Sequence, residues 1–403
     1  MLPIVFIGLT AALLASPPEP GPSAEWIYNG VDRPAMIDIA GPPEGAEDAS
    51  LTLALMDAHG ELLVRPAAVR PGRADLAELI PDIWRLRRAA YLQLLAGGEP
   101  IGSALVVQPM LSRLIPVTEE ATSPGGAGYR HIIGWRDARA PREAYDADDP
   151  KTGEETSMPE PAGGATATDA DSAAPAEPEP AAGPSRAWLA VPGADHRLLS
   201  GVRLYRERDV ILHTTEGDIR LALRPDHAPN TVFNFIRLCE GGFYRDVAFH
   251  RVVPMTREGE PFIIQAGDPT GLGDGGPGYR IDLEPSGLPH EFGVISMARD
   301  ADPDTAGSQF FICLSREGTA RLDGDYCAFG YAMAGRDAIL AIADVELADL
   351  AAGRPVEAPR IESAELVPAP PRVVGLGRPD RPIEPAPLEA EQPAEARPGR
   401  VPR

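Results

Sequence analysis

The chain changes its hydrophobic rhythm several times. Leu2 to Ala15 runs without a charge, fourteen residues that would rise about 21 Å as a helix. That is short for a hydrocarbon core of roughly 30 Å, and it suits the apolar core of a signal peptide. No Lys or Arg precedes it, and Thr10-Ala11-Ala12 is the best small-residue cleavage candidate, so residues 1–16 are expected to be a signal peptide or an uncleaved N-terminal anchor. Over residues 24–112 apolar and polar positions alternate as in half-buried strands. Leu51, Leu53 and Leu55 share one face, Tyr91, Gln93 and Leu95 another, and Ala96–Pro100 turns a hairpin. This predicts a small β-sandwich, the immunoglobulin-like form being one candidate. It gathers no cluster of His, Cys, Ser or paired carboxylates, so no chemistry is assigned to it.

The rhythm then stops. Between Lys151 and Ser185 there is no Val, Ile, Leu, Phe, Tyr or Trp. Such a stretch cannot bury enough apolar surface to offset its ordering entropy, and residues 141–187 are expected to be a disordered acidic linker. Alternation returns over residues 203–367. Val210–Thr214 and Ile219–Leu223 read as a hairpin, followed by strands at Val247–Val253, Phe262–Ala266, Gly293–Ala298, Gln309–Leu314, Ala328–Tyr331 and Arg360–Leu366. A helix starts at Pro229-Asn230, with Val232, Phe235, Ile236 and Cys239 on one stripe, and ends at Gly241-Gly242. A second is expected near Asp337–Val345. The fold class is therefore mainly β: a closed antiparallel eight-stranded β-barrel capped by two helices, joined by the linker to the N-terminal sandwich. Residues 368–403, crowded with proline, read as an extended disordered tail.

Composition narrows the functions. The 403 residues suit two or three domains. Sixty acidic against 37 basic side chains leave a net charge of −23. That argues against nucleic acid, against a membrane surface beyond the N-terminal anchor, and against acidic clients. Lys151 alone among the basic residues is lysine, a bias typical of a GC-rich coding habit, and a bacterial source is expected. Cys239, Cys313 and Cys327 cannot build a disulfide framework and form no CxxC pair, so neither metal nor cofactor is expected. Gly271–Gly276 spells GxGxxG after a strand, but Pro277-Gly278-Tyr279 follows where a dinucleotide site needs a helix, so a tight loop is the better reading. There is no HExxH and no GxSxG.

What remains is uncharged but for one arginine. Phe249, Arg251 and Val253 share a strand face by alternation, with His250 opposite. Then come Phe262-Ile263-Ile264-Gln265, Gln309-Phe310-Phe311 and Leu322-Asp323-Gly324. By themselves these are equally core phenylalanines, strand glutamines and a solvated arginine. In order along the chain, however, APNTVFNF, GGFYRDVAFHRVVP, FIIQAGDPTGLGDGGPGY, HEFGVISMAR, AGSQFFICLS and LDGDYCAFG resemble the cyclophilin family of peptidyl-prolyl cis-trans isomerases, across about 165 of 403 residues.

The resemblance implies an enzyme that rotates X–Pro bonds, with proline-containing polypeptides as partners. It makes Arg251, Gln265 and Phe262 catalytic. Phe262, Phe311 and Leu322 form the proline pocket, with Gln309 and Ile263 beside it, and Ala298 and Arg299 grip the substrate backbone. Tyr326, Gly273 and His250 complete the substrate contacts. Departures from the family pattern are Ile263 for methionine, Arg299 for asparagine, Tyr326 for histidine, a longer Met255–Pro261 connection, and Arg321 where a tryptophan is frequent. The last predicts weak cyclosporin binding. Exported clients, in the periplasm or outside the cell, follow from the N-terminal segment. Two rival expectations stand beside this one: a module that binds proline segments without turning them over, and a proline-rich tail that visits its own pocket. Oligomeric state is left open.

Overall fold

The computed structural model describes residues 20–31, 33–112, 114–122, 128–137, 198–378 and 382–384. The expected signal or anchor and the linker lie outside them. Among the described residues no helix is long and apolar enough to cross a membrane.

Among the described residues, beside a two-stranded ribbon of Leu347–Asp349 and Arg354–Pro355, the C-terminal half is built on an antiparallel sheet of nine strands. In chain order they are β1 (Arg208–Thr214), β2 (Gly217–Leu223), β3 (Val247–Ala248), β4 (Arg251–Met255), β5 (Pro261–Ala266), β6 (Val294–Met297), β7 (Phe310–Cys313), β8 (Ala328–Ala334) and β9 (Arg360–Pro368). Their spatial order is β3-β9-β1-β2-β8-β6-β7-β5-β4. The two outermost strands, β3 and β4, are consecutive in the chain and separated by Phe249-His250 alone. The expected single strand Val247–Val253 is thus two, which raises the count from eight to nine. The reason is a change of side: Phe249 is fully buried in the main core, whereas Arg251 and Val253 stand on the opposite face. The grouping of Phe249 with Arg251 is corrected accordingly.

Helix α1 (Pro229–Glu240) turns Val232, Phe235, Ile236 and Cys239 inward, as its stripe predicts. Proline at its first position costs no hydrogen bond there. Glu284 covers its start, accepting from the Asn230 and Thr231 amides at 3.0 and 2.7 Å, so a carboxylate meets both the unpaired N–H groups and the positive end of the helix. Phe235 then packs edge-on against Phe310 at 5.4 Å, with Tyr244 and Phe329 at 5.1 Å. Helix α2 (Arg336–Ala343) adds Ala338, Ile339 and Ile342 to the same core.

The N-terminal half holds a three-stranded sheet (22–24, 36–39, 72–75) and a six-stranded one, which share a core of Ile37, Leu53, Leu55, Leu92, Leu94 and Leu105 among others. Two boundaries differ from expectation. Leu198–Arg206, beyond the linker, inserts between Tyr28–Gly30 and Glu99–Ser112, so the N-terminal unit does not end at 112. Nor does the tail begin at 368. Ala369 and Arg372 are buried, and hydrogen bonds tie the segment to Ser103, Gln93, Ala58 and Gly60 of the N-terminal half and to Glu207, Asp209 and Leu223 at the nine-stranded sheet. Proline richness hid one arginine whose charge is satisfied: Arg372 lies 3.3 Å above the Tyr91 ring and donates to Glu207 at 2.8 Å. The remainder of the proline-rich stretch, apart from 382–384, is outside the described residues.

Candidate active site

The site is a row of residues carried across neighbouring strands. Arg251 on β4 is opposite Gln265 on β5, Gln265 opposite Phe311 on β7, and Phe311 opposite Ser296 on β6. Strand alternation sends Val252, Ile264, Phe310 and Ile312 into the main core and the row to the other face. There Ile263, Phe311 and Leu322 are buried, with Phe262, Ala298 and Tyr326 partly buried around them. Phe262 departs from strict alternation at the start of β5 yet joins this cluster. The three residues expected to form the pocket, Phe262, Phe311 and Leu322, thus lie in one cluster with Ile263, Ala298 and Tyr326.

Polar groups approach it as a relay of amides. Arg251 Nη1 donates to Gln265 Oε1 at 3.1 Å, Gln265 Nε2 donates to Gln309 Oε1 at 3.0 Å, and Gln309 Nε2 donates to the carbonyls of Gly273 and Gly275 at 3.0 and 2.9 Å. The chain of donors fixes which end of each amide faces which neighbour. Among the described residues no carboxylate pairs with Arg251, so its charge is held in place but not neutralised. Burial lowers its pKa from the usual arginine value, Tyr326 acting the other way, and the group stays cationic.

The GxGxxG stretch is the loop at the end of this relay. Burial alone would raise the Asp268 carboxyl, but hydrogen bonds from Thr270, Gly273 and Gly275 outweigh it and hold the group below its usual range. A Cβ on Gly275 would lie 2.1 Å from Asp268 Oδ1, so close approach is what demands glycine there. A groove of about 550 Å³ opens beside the aromatic cluster, lined by Gln265, 273–280, 298–300, Thr305 and 307–309. Phe262, Phe311 and Leu322 do not line it; Gln265, Gln309, Ala298 and Arg299 border both. His250 and Gly273 lie against each other at its edge, and burial lowers the His250 pKa so that the ring is neutral at pH 7.

Residue patterns alone did not reveal what supports Phe311 from behind. The His290 ring stacks on it at 6.0 Å and 18°. His290 Nδ1 bonds Asp323 Oδ1 and Nε2 bonds Ser296 Oγ, both at 2.9 Å. Ser, His and Asp in that order look like a nucleophile triad, but Ser296 is fully buried, so the arrangement is a prop and not a hydrolytic centre. Spacings of six and 33 residues carry no signal for it. Asp323, which reads as a turn residue, also pairs with Arg316 at 2.6 Å. The three cysteines are buried thiols, and burial pushes Cys327 up to about 12.

The family model for cyclophilin type peptidyl-prolyl cis-trans isomerases matches residues 210–366. A peptidyl-prolyl cis-trans isomerase of Synechococcus elongatus is 48% identical over 120 residues, 30% of this chain and 77% of the relative. Isomerase B of Bacillus subtilis is 45% identical over 119 residues, 29% and 77% of the two chains. Isomerase-like 1 of Gibberella zeae is 38% identical over 165 residues, 40% and 94%. A Cryptosporidium parvum cyclophilin solved in the presence of the dipeptide Ala-Pro shares 30% identity, covering 40% of this chain and 98% of that one, with a TM-score of 0.36. With more than three quarters of such relatives covered at these identities, the chain belongs to the cyclophilin-type peptidyl-prolyl cis-trans isomerases.

Proposed function

We propose that the isomerase works through Arg251, on proline-containing segments of exported proteins. The observation that carries the reading is the un-neutralised guanidinium of Arg251 beside an apolar cluster, held by an amide in place of a carboxylate. The barrier to rotation, about 18–20 kcal/mol, comes from amide resonance, so no nucleophile or metal is needed. Preferential binding of the twisted amide suffices. Phe262, Phe311 and Leu322 hold the prolyl ring, and Ala298 and Arg299 hold the preceding backbone, so that one half of the amide turns against the other. As the prolyl nitrogen pyramidalises, Arg251 donates to it and lowers the double-bond character of the C–N bond. Gln265 orients the guanidinium, and the half-buried setting strengthens its field. The nine-stranded sheet with its ends meeting at Phe249-His250 is read as a closed barrel with α1 and α2 at its mouths, and the paired N-terminal sheets as a sandwich. Residues 1–16 support export.

The test is proline cis/trans exchange by NMR in a short Ala-Pro peptide with the full chain. Uncatalysed exchange takes tens of seconds or longer, so modest catalysis is visible. Arg251→Ala is expected to lose on the order of 10²–10³-fold, the scale of a deleted transition-state donor. Peptide binding by both proteins with no acceleration by either would instead establish a non-catalytic binding module.

A further inference from the structure

Two more guanidiniums stand on different walls of the pocket. Arg321 lies over the Phe262 ring, 4.8 Å from its centroid. Arg299 lies over Tyr326 at 4.6 Å, and Tyr326 in turn meets Phe311 edge-on at 5.7 Å. Arg299 donates to main-chain oxygens of Asp325, Asp300 and Ala301, which hold it without cancelling its charge. Arg321 is exposed, and among the described residues no hydrogen bond or ion pair engages it. Glu317, one helical turn earlier, makes no ion pair with it. The nearby Asp323 is already taken by Arg316 and His290. Asp274 and Asp300 share the adjoining groove with Arg299, so Arg321 is the cation with the weaker competition.

Resting on the isomerase reading, we propose that this site selects proline segments bearing an Asp or Glu side chain within two residues of the proline. Arg321 is the residue that reads the carboxylate, and Arg299 assists from the other wall. A guanidinium whose face is stacked on a ring keeps its N–H edges free and pre-aimed for two-point binding of a carboxylate. The net charge of −23 does not oppose this at short range, because charges beyond about 8 Å are largely screened at physiological salt.

The experiment compares the peptides Xaa-Ala-Pro-Ala-Xaa, blocked at both ends, with Xaa as Glu, Gln or Lys, by NMR exchange with the full chain. The Glu peptide is expected to exceed the Gln peptide in kcat/KM by about two- to fivefold, the range of exposed ion pairs, with Lys below both. Arg321→Gln should bring the Glu-to-Gln ratio close to one, and so should 1 M NaCl with the unaltered chain, where charges interact only within about 3 Å. A ratio of one in the unaltered chain, or a preference that survives Arg321→Gln, overturns the proposal. If no peptide is accelerated, it is the isomerase mechanism that fails. Chemical-shift titration of the Glu and Gln peptides then tests selection by binding: equal affinities overturn it, and a Glu preference lost in Arg321→Gln upholds it.

Discussion

In the proposed mechanism Arg251 owes its usefulness to the neutrality of its partner. Gln265 fixes the guanidinium 3.1 Å away without supplying a counter-charge. Gln265→Glu places a carboxylate there and also removes the donor to Gln309. We expect the variant to fold, and to lose about tenfold in kcat/KM on the NMR exchange assay, since a paired guanidinium polarises its substrate less. Turnover should be flat from pH 7 to 9, because the proposed mechanism moves no proton to or from the enzyme; a bell-shaped profile in that range would count against it. Below that range His290 matters. Burial, opposed by Asp323, holds its pKa under the ordinary 6.5, so the unfolded chain takes up a proton first. The His290 contribution to stability should be fully present well above pH 6.5 and be lost as pH drops through that value toward the lower folded one. His227 and His250 act with the same sign. His213, raised by Asp218 and Glu365, acts oppositely, and its side chain is 33% exposed, which weakens its share. Thermal unfolding between pH 7 and 5 should show the loss, reduced in His290→Gln.

Among the elements, the glycine loop that closes the amide relay is the one most sensitive to small changes. Gly275→Ala would drive a methyl into Asp268. The expected result is a stability loss of about 1–3 kcal/mol from strain, read as a lower Tm, together with reduced turnover, since Gln309 loses its carbonyl partners. Equal Tm and equal turnover would show that the loop does not hold the relay. Strands and helices of this half were legible because periods of 2 and 3.6 residues were regular there; α1 begins and ends where Pro229 and Gly241 say it should. The break at Phe249-His250 was not, since an inward and an outward phenylalanine look alike in the pattern. The strand Ala90–Ala96 is buried on both faces, and alternation cannot say what covers the second face. Arg251, Gln265 and Gln309 came together in the sequence only through the family likeness, because neutral amides on separate strands have no spacing rule. Ser296, His290 and Asp323 escaped because their spacings along the chain match no motif.

Over the whole molecule, the two halves are joined by buried charge. Glu207 and Asp209 open the nine-stranded sheet, and Arg372 and Arg378 come back to meet them. Glu207 and Arg372 are each 1% exposed, so removing one partner strands the other. Arg372→Ala should cost about 3–5 kcal/mol in denaturant unfolding of the full chain. Deleting everything after Pro368 should likewise destabilise. It should not raise turnover, as an inhibitory tail would require, because none of the hydrogen bonds described for 369–378 falls on a pocket residue. The same feature sets a clock on assembly. Once Arg206 has left the ribosome the N-terminal sheet has all its strands, but its Tyr91 face waits for Arg372. At about 5–20 residues per second that interval is roughly ten to thirty seconds, during which Tyr91, Gln93 and Glu207 face solvent. A chaperone or protease that recognises this face would therefore distinguish a newborn chain from a finished one.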